Sequence, residues 1–463
     1  MSNPYYSRRR SIVVHIGDTP LGGEYPIRVQ SMTTTPTDDT EACVAQVRRI
    51  VAAGGEYVRL TTQGVREAEN LYNIKSALRA EGITTPLVAD VHFNPRVADV
   101  AACYVEKVRI NPGNYVDTAR TFRQLTYTDA EYAAEVEKIR DRLVPFLQIC
   151  REHHTAIRLG VNHGSLSDRI MSRYGDTPEG MVESCMEFLR VCVDEQFMDV
   201  VISIKASNTV VMVQTVRLLV RSMDKEGMAF PIHLGVTEAG EGEDGRIRSA
   251  VGIGALLGEG IGDTIRVSLS EEPEAEIPVA RKLVAYAEES AQRRALAREA
   301  CHDGVLVLDY AETSLEDLQL KASMVAGSLL IDGVVHDLVI HNSGDAISEA
   351  QLRDTADAIL QAARVKFTKN DYISCPGCGR TLYNLQETIA RIKAATSHLK
   401  GLKIAIMGCI VNGPGEMADA DYGYVGAARG KVSLYRRKEC IRKNIPEEEA
   451  VEVLLALIEK DSQ

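Results

Sequence analysis

The sequence predicts an α/β chain built as an N-terminal (β/α)8 TIM barrel, a short αβ middle segment and a compact C-terminal α/β domain. Two patterns carry this. Eight short apolar runs alternate with helical patterns across residues 1–290, which is the signature of a closed parallel barrel. A second block of short strands and amphipathic helices fills residues 368–463. Residues 291–367 lie between as a spacer.

The eight runs are PIRVQSM (26–32), YVRLT (57–61), PLVADVHF (86–93), KVRINPG (107–113), AIRLGVN (156–162), DVVISIKA (199–206), PIHLGVTEAG (231–240) and TIRVSLS (264–270). Most of each is β-branched or Leu, and each ends near Gly, Asn, Thr or Ser. Between them, segments such as ACVAQVRRIVAAGG (42–55) and GMVESCMEFLRVCVDE (180–195) repeat apolar residues at helical spacing. Residues 113–145 exceed what one connection needs and read as a charged, Tyr-rich surface excursion. After a charged helix ending at Ala300, LVLDY (306–310) and two further helical patterns make the middle segment, with a packing or spacing role. In the C-terminal block, 381–399 reads as an amphipathic helix, KIAIMGC (403–409) as a buried strand, 421–427 and 431–437 as short strands, and 446–460 as a closing helix.

Bulk composition narrows the function. The chain has 463 residues, 45% of them apolar, enough for two or three domains with sizeable cores. Aromatics are 5%, Trp is absent and the net charge is −12. That argues against a nucleic-acid binder. Most of the ten cysteines sit singly among apolar residues, as in a reduced protein, and no run is long enough to span a bilayer. A cytoplasmic protein is the expectation.

The charges fall in unusual places. Barrel strands are covered on both faces and should be almost wholly apolar. Yet Arg28, Arg59, Arg109, Arg158 and Arg266 interrupt them, Lys205 ends the sixth, and His233 lies in the seventh. Strand acids are few, Asp90 and Glu238. Unpaired buried cations are costly, and active sites of this fold lie at the C-terminal strand ends, where Asn111, Asn162, Ser207, Thr237 and Ser268 also fall. Internal salt bridges would need more acids. The pattern favours an external phosphate or diphosphate gripped by the guanidinium forks.

A second constellation lies near the end. Cys375 and Cys378 form a C-x-x-C turn in SCPGCGR (374–380), and Cys409 ends an apolar run followed by NGPGE (412–416). Three soft ligands suit zinc or iron–sulfur. Structural zinc would need a fourth Cys or His, and residues 400–463 contain no His. A [4Fe–4S] cluster on the three thiols fits better. Glu416 is either its fourth, replaceable ligand or a loop cap.

The motifs SCPGCGRT, MGCIVNGPGE, VQSMTTT, VADVHF, VRINPGN, IRLGVNHGS, SIKASN and HLGVTEAG together resemble the 4-hydroxy-3-methylbut-2-enyl diphosphate synthase family of the methylerythritol phosphate route to isoprenoids. The resemblance implies a barrel followed by a cluster domain similar to half of a sulfite or nitrite reductase. It implies reductive opening and dehydration of 2-C-methyl-D-erythritol 2,4-cyclodiphosphate, with single electrons from flavodoxin or ferredoxin. By the same resemblance the cluster ligands are Cys375, Cys378, Cys409 and Glu416. The substrate-binding positions are Arg59, Arg109, Arg158, Asn162, Lys205, Arg266 and Ser268. Glu238 matches a proton donor, and Asn412 a residue that reaches the substrate. Arg28, Asp90 and His233 are expected at the same strand ends, with no assigned role. The chain looks like a shortened relative of the longer, three-domain form of the family, and a homodimer is expected. Rival readings are a dihydropteroate-synthase-like barrel carrying a zinc module, and an electron-transfer protein whose barrel is only scaffold.

Overall fold

The computed structural model describes residues 4–117, 126–301, 303–410, 413, 417 and 419–462. Eight parallel strands form the barrel: β1 (Arg28–Met32), β2 (Tyr57–Thr62), β3 (Leu87–Val91), β4 (Lys107–Ile110), β5 (Ala156–Asn162), β6 (Val200–Lys205), β7 (His233–Leu234) and β8 (Thr264–Ile265). They run in the order β6-β5-β4-β3-β2-β1-β8-β7, and a parallel bridge between Ile202 and Ile232 closes the circle. The last two strands are shorter than their apolar runs suggest. Regular pairing stops after two residues, with Arg266 N still donating to Leu234 O at 3.0 Å.

Local sequence fixes where helices begin. Asp39 accepts from Ala42 N to cap Thr40–Ala52, and Asn94 caps Pro95–Ala102, whose first residue is the proline that suits that position. The expected excursion at 113–145 supplies instead most of a 24-residue helix, Asp129–Glu152, capped by Thr128 and burying Tyr132, Ile139 and Leu143. Its apolar spacing is diluted by acids and arginines, which made it look like loop.

The middle segment adds β9 (Val305–Tyr310) and β10 (Asp337–Asn342), a two-stranded parallel sheet with helices Leu315–Ile331 and Glu349–Ala362. Helix Leu315–Ile331 lies against the barrel helix Gly242–Leu257. A Cβ on Gly254 would meet Met324 Cγ at 2.4 Å, so glycine there permits the close approach. Leu306, Leu308, Met324 and Leu360 join the same hydrophobic core as the barrel.

The C-terminal sheet runs β11 (Asp371–Ser374), β12 (Lys403–Met407), β13 (Tyr422–Ala428), β14 (Lys431–Arg436) and β15 (Glu439–Pro446), in that order. Helix Leu385–Thr396 and a closing helix, Glu447–Ser462, cover it. The sequence pattern missed β11 and β15. No helix among the described residues is long and apolar enough to cross a membrane.

Candidate active site

The sheet ends bring two chemistries into one cavity. β11 docks on the barrel through a parallel bridge between Ala239 and Ser374, and Ser270 Oγ donates to Cys375 O at 2.9 Å. Asp371, 1% exposed, accepts from Arg248 at 2.6 Å and also from Arg364. The C-x-x-C turn lies so close to the Thr-rich loop after β1 that a Cβ on Gly379 would meet Thr35 O at 2.7 Å. Barrel mouth and cysteines therefore meet within one chain.

One cavity lies between the barrel mouth and the C-terminal sheet. Arg59, Arg109, Arg158, Asn162, Lys205, Glu238, Arg266 and Ser268 line it from the barrel, and Cys375, Cys378 and Cys409 from the C-terminal side. Every site residue expected from the sequence reaches it except Asn412 and Glu416, which lie outside the described residues. Arg28, His233, Asn111 and Ser207, expected at the same strand ends, do not line it. Arg28 opens β1 at the opposite end of the barrel and pairs with Glu56 at 2.8 Å. His233 is fully buried in the barrel interior beneath the mouth, with neither ring nitrogen hydrogen-bonded among the described residues. Strand register explains both, since each sits too early in its strand.

Asp90 organises the cations. Arg109 Nη1 lies 3.0 Å from its Oδ1, Arg59 Nε 3.8 Å from its Oδ2, and His92 Nε2 3.6 Å from Oδ1. Burial alone would raise the Asp90 carboxyl, but Arg59 and Arg109, with His92, hold it well below the ordinary range. Arg109 also donates to Gly160 O and to Asn162 Oδ1, both at 2.8 Å. A Cβ on Gly160 would lie 2.3 Å from Arg109 Nε, so the glycine in AIRLGVN makes room for that guanidinium.

Arg266 differs from the rest. Glu276 accepts from its Nε and Nη2 at 2.9 and 2.8 Å, and Ser31 Oγ donates to the same carboxylate at 2.7 Å. This acid starts the helix Glu276–Ala300 and is invisible in the strand pattern. Arg266 is thus neutralised within the fold. Arg59, Arg109, Arg158 and Lys205 remain with too little negative charge. Burial, reinforced by neighbouring arginines, pushes Lys205 and Arg158 well below their ordinary values. Such a site gains most from an anion.

On the other side, Gly377 N donates to Cys375 Sγ at 3.4 Å, and Cys378 N to Thr381 Oγ1 at 3.1 Å. Burial, then the neighbouring Cys378, Glu238 and Cys409, push the Cys375 thiol up. A bound metal's positive charge would reverse that and draw the proton off. Among the described residues, no three metal-ligating side chains gather on a point fit for a single ion. Three thiols facing one cavity, with an N–H directed at sulfur, fit the donor set of an iron–sulfur cluster. Glu238, at the end of the seventh strand run, faces the cysteines with φ +50°, a left-handed backbone unusual for Glu and typical of functional positions.

Sequence reasoning missed Arg380. It also lines the cavity, with Nη2 3.6 Å from Asp90 Oδ2. The signal was present, an arginine two residues after the C-x-x-C motif.

Comparison with known proteins agrees with this geometry. The GcpE TIM-barrel domain matches residues 11–281, and the GcpE protein C-terminal domain matches 371–460. A Bacteroides fragilis protein named 4-hydroxy-3-methylbut-2-en-1-yl diphosphate synthase (flavodoxin) is 54% identical over 600 aligned positions, covering 98% of this chain and 96% of its own. Proteins of the same name from Akkermansia muciniphila (42% identical, covering 99% and 97%) and Protochlamydia amoebophila (37%, covering 97% and 96%) also match. The Bacteroides alignment has 600 positions against 463 residues here, so at least 137 positions have no counterpart in this chain. The sequence suggested a shortened relative of the longer form, and the two family domains match on either side of residues 282–370. The chain belongs to the GcpE family.

Proposed function

We propose that this chain reduces 2-C-methyl-D-erythritol 2,4-cyclodiphosphate to 4-hydroxy-3-methylbut-2-enyl diphosphate and water, consuming two electrons and two protons. The observation that supports it most is the cavity in which under-neutralised barrel cations face three thiols of the same chain. Neither rival reading accounts for both halves, and the relatives' printed names point to the same reaction.

Arg59, Arg109, Arg158 and Lys205 bind the cyclic diphosphate, with Ser268 and the Glu276-anchored Arg266 completing the mouth. Asn162 acts through Arg109, holding its guanidinium at 2.8 Å. The ring bond to phosphate breaks, and these preorganised cations stabilise the charge that develops on the released diphosphate. Glu238 holds a proton at its carboxyl for the departing hydroxyl, and Asn412 contacts the substrate. A [4Fe–4S] cluster on Cys375, Cys378 and Cys409, with Glu416 as a replaceable fourth ligand, would deliver electrons singly. Reduced flavodoxin or ferredoxin is the donor, in a reducing cytoplasm. The parts are residues 1–290 for the diphosphate, 291–367 as spacer and 368–463 for the cluster. A homodimer would carry two such sites, each complete in its own chain.

The test is anaerobic reconstitution followed by turnover with reduced flavodoxin. The expected result is about four irons per chain and formation of the linear diphosphate. Cys409→Ser should lose the iron, and Arg59→Ala should keep it while losing affinity for the cyclic diphosphate. A colourless zinc protein without turnover would defeat the reading.

A further inference from the structure

Arg380 connects two groups that otherwise belong to different halves of the site. Its side chain is buried, 8% exposed for the whole residue. The guanidinium lines the same cavity wall as Cys378, two residues before it, and Cys409. On its other side Nη2 is 3.6 Å from Asp90 Oδ2. Its Nε has no hydrogen-bond partner among the described residues. The ordinary explanation would be that Asp90 needs a counter-charge. Asp90 already has Arg109 at 3.0 Å and Arg59 at 3.8 Å, so a third arginine is surplus for that purpose. Burying a further cation beside cations is costly, and the sulfur side gives it a use.

We propose that Arg380 is a positioning residue coupling the cysteine side of the site to the barrel. Its pairing with Asp90 holds the C-x-x-C turn down on the mouth, and its charge raises the electron affinity of a cluster bound to Cys378. The second half rests on the cluster reading above, and the first does not. Net charge and hydrogen bonds to the sulfurs are among the main determinants of an iron–sulfur potential. A cation at Cys378 therefore moves the potential upward, and the carboxylate of Asp90 just behind it moves it downward.

Arg380→Gln, Arg380→Lys and Asp90→Asn proteins test this in two ways. In cluster-free protein, hydrogen exchange of the amides in 374–381 should quicken at least about tenfold in Arg380→Gln and Asp90→Asn, as expected for loss of a buried pair. Exchange in β12 should stay as in the parent, which separates an opened latch from a misfolded domain. In reconstituted protein with parent-like iron content, the midpoint potential should fall in Arg380→Gln, return towards the parent in Arg380→Lys, and rise in Asp90→Asn. A packing defect would move Arg380→Gln and Asp90→Asn the same way, and that outcome overturns the charge role. Unchanged exchange at 374–381 in both variants overturns the latch. A parent that takes up zinc and no iron would remove the cluster reading and the charge role with it, leaving the exchange result to decide the latch.

Discussion

Arg158 is where the anion-binding argument is most exposed. It is 1% accessible, and its Nε and Nη1 have no hydrogen-bond partner among the described residues. Its charged neighbours are chiefly Arg59 and Arg109, with Asp90 shared among all three. Among the described residues of the cavity wall, Arg59, Arg109, Arg158, Lys205 and Arg380 face only Asp90 and Glu238 as carboxylates, once Arg266 is set against Glu276. Replacing Arg158 by Met removes one uncompensated charge at similar volume. Replacing a whole buried ion pair or triad by apolar side chains is often neutral or stabilising by about 1–4 kcal/mol, and an uncompensated buried cation is costlier to keep than a paired one. The unfolding entropy of a chain this long is about 1 kcal/mol per kelvin, so Tm should rise by roughly 1–4 °C. Affinity should move the other way. Losing hydrogen bonds to a charged ligand costs about 1.5–3 kcal/mol, or roughly 10- to 150-fold in Kd. Calorimetry of the metal-free protein, scanned alone and titrated with the cyclic diphosphate, reads both. A variant that melts lower and binds as tightly as the parent would show Arg158 to be structural, and the reasoning about the ring would fail with it.

Stability should also fall on mild acidification. Burial lowers His92 to about 3 and His233 well below its ordinary value, so both are neutral in the fold, while the unfolded chain protonates them below about pH 6.5. The unfolded state then binds more protons, and stability drops by up to about 1.4 kcal/mol per pH unit for each histidine as pH falls from 6.5 towards 4.5; His233→Asn should flatten the slope of urea-unfolding free energy against pH. Asp90 has a depressed carboxyl, so its contribution is intact above about pH 4 and is lost only below that. Asp371→Asn leaves Arg248 and Arg364 facing a neutral amide, and a loss of about 3–5 kcal/mol should appear as an early transition of the C-terminal sheet in denaturant. Mixing Arg59→Ala chains with Cys409→Ser chains should restore no turnover, because both halves of the cavity come from one chain; recovery of activity would show that the halves pair across subunits.

Much of this architecture was legible in the sequence because barrel strands leave an unusual trace. An arginine flanked by Val, Ile or Leu on both sides has few structural explanations, and Arg59, Arg109 and Arg158 all reached the cavity. What stayed hidden depends on register and on distant partners. Nothing local distinguishes Arg266 from its neighbours, yet Glu276 reaches it from the following helix. Arg28 lies four residues before Met32, the β1 residue level with Arg59, which puts it at the opposite end of the barrel. β15 reads ECIRKNIP, a charged run without clear alternation, because it is the sheet's edge, where lysine and arginine discourage pairing with another chain. β11 is four residues long and ends in the serine before Cys375, too short for any periodicity to show.

The shortened middle segment bears on why the cavity closes within one chain. The Bacteroides fragilis alignment carries at least 137 positions that this chain lacks. What remains is two strand–helix units whose apolar residues merge into the barrel core instead of forming one of their own. The glycine at 254 lets helix Leu315–Ile331 lie directly on the barrel helix Gly242–Leu257. That same barrel helix carries Arg248, which grips Asp371 at the start of β11. The spacer and the cysteine sheet therefore share one support, and a change in the spacer's packing is felt four residues before Cys375. A loosely tethered domain could not keep three thiols, Arg380 and Asp90 in register with a diphosphate site, since misplacement by about 1 Å is enough to cost catalysis dearly. Trimming the middle to elements that fuse with the barrel core keeps the fixed geometry that the chemistry needs.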